Sequence, residues 1–161
     1  MSKNKKLSRL ITNIIYAFLK PALKAYLKDR ITTRVLIIKN NQILVIRNTI
    51  SNGDMSLPGG GVKNGEEPSA ALIREVNEEV GIKLNNDKLI YQGIYWASND
   101  GLKYQYHLWF YNLKTDPVIK KRPFEISEAY FIDERELMNL RLSSELSHSL
   151  KNWQTKSNLI K

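Results

Sequence analysis

Four charged residues near the middle of the 161-residue chain have the types and spacing for metal-assisted phosphate chemistry. They are Arg74, Glu75, Glu78 and Glu79. On a helix, at about 100° per residue, the three glutamates would share one face within an arc of about 100°. Oxygen ligands of this kind suit Mg²⁺ or Mn²⁺, which complete their shells with water and phosphate oxygens. The spacing predicts a site for a hard divalent cation; the alternative is a solvated, Glu-rich helix face.

A glycine-rich loop precedes these residues. Gly59, Gly60 and Gly61 have no Cβ, so their carbonyls and amides can approach a ligand closely. Pro68 then occupies the first position of a predicted helix, whose positive dipole end would face a bound phosphate. Arg74 can pair with Glu78 four residues later and keeps the cluster ionised. The pattern predicts a phosphate-binding loop beside the cation site.

Hydrophobic periodicity predicts the elements that position these residues. Lys39-Asn40-Asn41 separates two β-branched runs and indicates a hairpin, Thr49–Gly65 indicates a loop, and Gly81 ends the central helix. His107 is expected to be partly buried in a strand, and His148 to lie on the surface of the last helix. The predicted strands are Ile31–Ile38, Gln42–Arg47, Leu89–Ala97, Tyr104–Leu113 and Ala129–Ile132, and the predicted helices are Ser69–Val80, a helix capped by Asp133 that runs through Leu140, and Ser143–Trp153.

Composition excludes several classes of site. The chain has no cysteine, which rules out a disulfide scaffold, a zinc finger, an iron–sulfur site and a thiol nucleophile. The net charge of +9 is uneven: residues 1–30 hold eight cations and one anion, a net +7, whereas the rest carries +2. Because the body is nearly neutral, the high pI does not indicate nucleic-acid binding, and no nucleic-acid partner is expected.

Residues 1–30 form a predicted basic, amphipathic helical arm. Apolar residues recur there at steps of three and four, and the longest apolar run, Ile14–Leu19, is too short to cross a bilayer. The arm either packs on the domain or on the partner of a homodimer, or it attaches the protein peripherally to an anionic membrane surface. A cleaved secretory signal is the less favoured alternative. A cytoplasmic location is expected, and if the arm attaches to a membrane, the protein would lie at the inner face of that membrane.

The segment from Gly60 to Ile82 resembles the Nudix box, G-x5-E-x7-R-E-U-x-E-E-x-G-U, in which U is apolar. Every required position is occupied. The resemblance extends loosely over residues 31–153, and it implies an α/β fold in which an α-β-α sandwich surrounds a mixed β-sheet, with a hydrolase domain over 31–161. The matching residues are Gly60, Glu66, Arg74, Glu75, Val76, Glu78, Glu79, Gly81 and Ile82.

The resemblance implies divalent-metal-dependent hydrolysis of a diphosphate linkage, with water attacking phosphorus. The implied partner is a small nucleoside diphosphate derivative, either a nucleotide or a nucleotide-sugar. Glu75, Glu78 and Glu79 look like ligands of Mg²⁺ or Mn²⁺, and one of them is able to act as general base. The Gly60 carbonyl looks like a further ligand, and Arg74 looks like the orienting residue.

Three further acids gain a role from the resemblance. Glu66 looks like the early glutamate of the box, which stabilises the loop–helix geometry or holds a metal-bound water. In this family the general base sometimes lies outside the box, and Glu125 and Glu128 are the candidates; the alternative is that both are solvated acids before a strand. Two other functions stay open: a nucleotide sensor without turnover, and a membrane-surface enzyme acting on a lipid-linked diphosphate.

Overall fold

A computed structural model describes residues 31–50, 53–99 and 102–159. The helical arm predicted for residues 1–30 lies outside the described residues. None of the helices in the described ranges is long and apolar enough to span a bilayer. The elements are β1 (Ile31–Lys39), β2 (Gln42–Asn48), α1 (Pro68–Val80), a 3₁₀ turn (Asn86–Lys88), β3 (Ile90–Asn99), β4 (Leu102–Asn112), β5 (Ile126–Asp133), α2 (Glu134–Leu137) and α3 (Ser144–Leu159).

The strands form one mixed sheet in the order β3-β4-β1-β2-β5. β1 and β4 are parallel, and the other neighbours are antiparallel. Alternate residues of β1 enter different cores: Val35 and Ile37 pack in the core that contains α1, and Leu36 and Ile38 pack in the core that contains α2 and α3. Helices therefore cover both faces, which confirms the predicted α-β-α sandwich.

The hairpin between β1 and β2 creates the opening in which the site lies. Asn40 and Asn41 both have positive φ, as a two-residue hairpin turn requires. The strands pair next to the turn, where Ile38 faces Ile43. Farther along, the chain after β2 returns between them: the Thr33 N–H donates to the Gly60 carbonyl at 2.8 Å. The glycine loop is thereby bonded to the middle of the sheet.

The predicted extents of two elements at the end of the sheet were wrong. The helix expected through Leu140 ends at Leu137, and Asp133 makes no side-chain capping bond to it. The reason is tertiary, because the Met55 N–H donates to the Arg141 carbonyl at 2.8 Å and draws the chain out of the helix. β5 is longer than expected because it pairs with β2 from Ile126 to Asp133.

The expected burial is confirmed for one of the two histidines and is wrong for the other. His107 is half-buried, and its Nδ1 lies 3.0 Å from the Tyr91 hydroxyl, which confirms the expectation. His148 was expected on the surface, but it is also half-buried, with its Nδ1 2.9 Å from the Tyr106 hydroxyl. Its ring forms a T-shaped contact with Tyr95, so the packing of α3 on β3 and β4 decides its environment.

Candidate active site

The loop and helix that carry the box are bounded as expected. α1 runs from Pro68 to Val80, one residue longer than predicted. Gly81 ends it in the left-handed conformation, with φ 74°, and its N–H donates to the Asn77 carbonyl. Leu72 and Val76 point into the core, and at about 100° per residue Glu75 and Glu79 lie next to them on α1 rather than on the opposite face.

Arg74 connects the loop to the helix. Its Nε and Nη2 donate to the two carboxylate oxygens of Glu66, each at 2.8 Å, and Nη2 also reaches the Gly61 carbonyl at 3.1 Å. Its Nη1 donates to Glu75 at 2.6 Å, whereas Glu78 lies 3.8 Å away. The Arg74 bonds and the Lys63 N–H lower the pKa of Glu66 to about 2. This geometry agrees with a role for Glu66 in holding the loop against the helix.

Two of the three glutamates on α1 face the glycine loop. A Cβ on Gly60 would lie 2.4 Å from the Glu75 carboxyl carbon, so a side chain at this position would displace that carboxylate. The Gly59 N–H donates to Glu79 Oε2 at 2.8 Å. Glu79 is only 4% exposed, and burial raises its pKa to about 8, although the Gly59 N–H and Arg34 act in the opposite direction.

Glu78 belongs to a different set of contacts. Its carboxylate accepts from Arg122 at 3.0 Å, and the same Arg122 nitrogen lies 2.9 Å from Glu125. The main-chain N–H of Arg122 donates to the main-chain carbonyl of Glu79, which connects the segment before β5 to the end of α1. Glu128 lies within β5 rather than before it, and it pairs with Arg47 of β2 at 3.3 Å.

A cleft of about 420 Å³ opens between the glycine loop, α1 and the segment before β5. Six of the predicted site residues line this cleft: Gly59, Gly60, Gly61, Glu75, Glu79 and Glu125. Four others lie outside its lining, namely Glu66, Arg74, Glu78 and Glu128. The described residues that line it are Arg34, Asn48, Ile50, Gly59, Gly60, Gly61, Glu75, Glu79, Phe124 and Glu125.

Sequence reasoning missed four residues of this lining: Arg34, Asn48, Ile50 and Phe124. A signal existed for Arg34, which is a single cation within the apolar run of β1. A charged residue in a strand with buried neighbours is unusual and needs a partner or a function. The other three lie in loops or at the end of a strand, and no spacing pattern in the sequence distinguishes them.

The donor chemistry of the cleft fits a hard divalent cation. No three His, Cys, Asp or Glu side chains in the described part of the chain are grouped closely enough to hold a metal by themselves. Mg²⁺, however, commonly takes one or two carboxylates together with waters and substrate phosphates. Glu75, Glu79 and the Gly60 carbonyl offer oxygens only. A cation beside Glu79 would also offset the cost of ionising a buried carboxylate.

Comparison with known proteins identifies the class. A family model of the NUDIX domain matches residues 28–153. This match covers most of the chain, and it contains both the glycine loop and α1. The chain therefore belongs to the Nudix family.

Three similar proteins illustrate how far the likeness extends. An RNA pyrophosphohydrolase of Psychromonas ingrahamii is 34% identical over 62 residues, which are 38% of this chain and 34% of the relative. An ADP-ribose pyrophosphatase of Methanocaldococcus jannaschii is 38% identical over 61 residues, which are 37% and 36% of the two chains. The chain thus covers about a third of the length of these curated relatives.

The third is a solved structure from Francisella tularensis. It is a bifunctional NMN adenylyltransferase/ADP ribose pyrophosphatase complexed with AMP and a Mn ion. The two structures superpose with a TM-score of 0.69 at 18% identity, over 87% of this chain and 46% of that chain. At this identity, the likeness establishes the fold alone.

Proposed function

We propose that this chain is a divalent-metal-dependent hydrolase that cleaves a diphosphate linkage in a nucleoside diphosphate derivative, with water attacking phosphorus. The observation that carries the proposal is the cleft in which Glu75 and Glu79 face the Gly59–Gly61 loop. Family membership supports the reaction class, and so do the names of the two curated relatives, RNA pyrophosphohydrolase and ADP-ribose pyrophosphatase.

Glu75, Glu79 and the Gly60 carbonyl would hold Mg²⁺ or Mn²⁺ in this proposal. The bound cation would neutralise phosphate charge and lower the pKa of the attacking water. The chain's own groups provide the orientation: Arg74 holds Glu75 against the loop, and the Gly59 N–H holds Glu79. Glu78 is left outside this set because it does not line the cleft.

Glu125 is the better of the two candidates for a general base outside the box. It lines the cleft, and its ion pair with Arg122 orients the carboxylate. Its main-chain carbonyl accepts from the Thr49 N–H at 2.8 Å, so the backbone beneath it is tied to the end of β2. Glu128 instead pairs with Arg47 across two strands and does not reach the cleft lining.

The experiment is a substrate panel measured with the Glu79→Gln variant. The panel contains nucleoside triphosphates, dinucleoside polyphosphates, nucleotide-sugars, ADP-ribose and a 5′-triphosphorylated RNA, each with Mg²⁺ or Mn²⁺. Gln can still accept the Gly59 N–H, so the substitution removes the carboxylate that would bind the cation while this contact is kept. We expect turnover of one class to fall about 100-fold or more, because a metal ligand contributes several kcal/mol.

Glu67→Gln is the matched control, since Glu67 is exposed and precedes the same helix. It should leave turnover unchanged, and Glu125→Gln in the same assay tests the base. Equal turnover of wild type and Glu79→Gln at saturating Mg²⁺ would contradict the assigned metal site. No metal-dependent turnover anywhere in the panel would contradict the proposed reaction on soluble nucleotides.

A further inference from the structure

Arg34 is the only cationic side chain among the described residues that line the cleft. It lies in the middle of β1, and its side chain is 15% exposed. Gly59 packs directly on its backbone, because a Cβ at Gly59 would lie 3.1 Å from the Arg34 Cα. Arg34 therefore belongs to the same wall of the cleft as the loop that holds Glu79.

The guanidinium of Arg34 is only partly used by its protein neighbours. Its Nη1 donates to the Thr33 carbonyl at 3.1 Å. Its Nε lies 3.6 Å from Glu145 Oε1, which is an ion-pair distance but too long for a good hydrogen bond. Nε is buried without a hydrogen-bond partner among the described residues, so protein contacts leave part of the donor capacity of Arg34 unused.

A buried acid lies next to Arg34, and the burial of its carboxylate requires a physical explanation. Glu145, in the first turn of α3, is only 2% exposed. The Tyr104 hydroxyl donates to its Oε1, whereas its Oε2 has no hydrogen-bond partner in the described chain. Burying such a pair costs desolvation energy, and a long, incomplete ion pair recovers little of it. Stability alone therefore does not account for the trio of Arg34, Tyr104 and Glu145.

The charges that line the cleft indicate a function for Arg34, Tyr104 and Glu145. Glu75, Glu79 and Glu125 would repel an anionic substrate, whereas Arg34 attracts it. A planar guanidinium with unused donors is well suited to phosphate oxygens, and its stem must be held for the donors to point outward. Glu145 lies at ion-pair distance from Arg34, and the hydrogen bond from the Tyr104 hydroxyl holds the Glu145 carboxylate in place.

We propose that Arg34 binds an oxygen of the substrate's diphosphate, and that Tyr104 and Glu145 are positioning residues that hold its guanidinium toward the cleft. This inference rests on the proposed function for the identity of the ligand as a diphosphate. It adds an anion-binding group that the box does not contain, on the strand beside the box rather than within it.

Binding of imidodiphosphate, a diphosphate that resists hydrolysis, tests the role of Arg34 in the full chain. Titration calorimetry with Mg²⁺ should show an affinity that falls about tenfold or more in Arg34→Gln. Arg34→Lys should recover part of that loss, since it keeps the charge but not the planar fork. Arg135→Gln, which removes an exposed arginine of α2 outside the cleft lining, is the control and should bind as wild type does.

The positioning residues are tested with Glu145→Gln and Tyr104→Phe. Both keep the shape of the side chain, and Tyr104→Phe protects the test if Glu145→Gln does not fold. We expect imidodiphosphate affinity to fall about three- to tenfold and the KM of the best panel substrate to rise equally, with kcat within about twofold. A purely structural role would change thermal stability without this selective loss of diphosphate binding.

Each outcome decides the inference. Binding by Arg34→Gln within about twofold of wild type, or no binding by wild type, would overturn it. Unchanged affinity in both Glu145→Gln and Tyr104→Phe would overturn the positioning part. If the panel gives no turnover while Arg34→Gln still loses imidodiphosphate binding, the proposed reaction fails and the diphosphate site stands.

Discussion

At the scale of single residues, Arg74 shows how one side chain organises the site without lining it. Its planar fork binds both oxygens of Glu66, and its remaining donors reach Glu75 and the Gly61 carbonyl. The Glu66 carboxylate raises the pKa of Arg74 above its ordinary value, so the cation persists at any physiological pH. Loop and helix are held together by charge-assisted bonds that a lysine could not reproduce.

The pair between Arg74 and Glu66 predicts a specific pH dependence of stability. Arg74 lowers the pKa of Glu66 in the folded protein to about 2, from an ordinary value of 4.5. A lowered folded pKa contributes stability above the unfolded pKa, and this contribution is lost as pH falls. The difference in unfolding free energy between wild type and Glu66→Gln should be constant at neutral pH and should shrink between about pH 4.5 and pH 2.

Urea unfolding at a series of pH values measures this difference. Glu67→Gln, which removes the adjacent exposed acid outside the Arg74 pair, is the control. A difference between wild type and Glu66→Gln that has already vanished at pH 5, or that persists undiminished at pH 2, would show that Arg74 does not stabilise the ionised form of Glu66 in the folded protein.

At the scale of elements, the site depends on how the glycine loop fits between β1 and β2. Gly59 has φ 132°, and a Cβ there would lie 2.2 Å from the Thr33 carbonyl oxygen. Gly61 forms a bridge with Thr32 but has open space where a Cβ would be. Two glycines of one loop therefore have different reasons for their identity, one steric and the other not.

This contrast predicts different costs for two alanine substitutions. Gly59→Ala should lower the unfolding free energy by about 2 to 4 kcal/mol, because it combines a disfavoured φ with a backbone clash. Gly61→Ala should change it by no more than about 0.5 kcal/mol, and it is the matched stability control. Urea unfolding measures both, and equal costs would refute the steric explanation for Gly59.

At the scale of the whole molecule, the distribution of charge separates the arm from the domain. Residues 1–30 carry a net +7, whereas the rest of the chain carries +2. Peripheral attachment to a membrane surface through this arm stays a prediction. The proposed reaction is argued without the arm, because the described residues that line the cleft all come after residue 30.

Co-sedimentation with anionic vesicles tests the attachment. Substituting Lys3, Lys5 and Lys6 with Gln should weaken binding of the full chain about 100-fold, at about 1 kcal/mol per lysine, and salt should weaken binding of wild type. The control is the same substitution at Lys83, Lys88 and Lys114, which are exposed outside the arm. Equal binding by the two triple variants would argue against attachment through the arm.

Local pattern was sufficient for the hairpin and the central helix, whereas the sandwich was implied by the resemblance of the box. Alternating apolar residues, Asn40-Asn41 at a turn, and Pro68 and Gly81 at the ends of α1 act within a few residues of one another. The box region could be identified for the same reason, since Gly60 to Ile82 is a single continuous segment. The extent of α2 and β5 could not, because contacts with Met55 and β2 decide where they end.

Helical spacing places three glutamates on one face, but only tertiary structure decides which of them meet. Glu75 and Glu79 face the glycine loop, which enters the sheet where β1 and β2 separate. Glu78 instead pairs with Arg122, which lies more than 40 residues later in the chain. Arg34 and Glu145 are still farther apart in the chain. The sequence by itself therefore determined the fold class, the loop–helix segment and its chemistry, and the tertiary structure decided the membership of the cleft, because long-range pairing has no local periodicity.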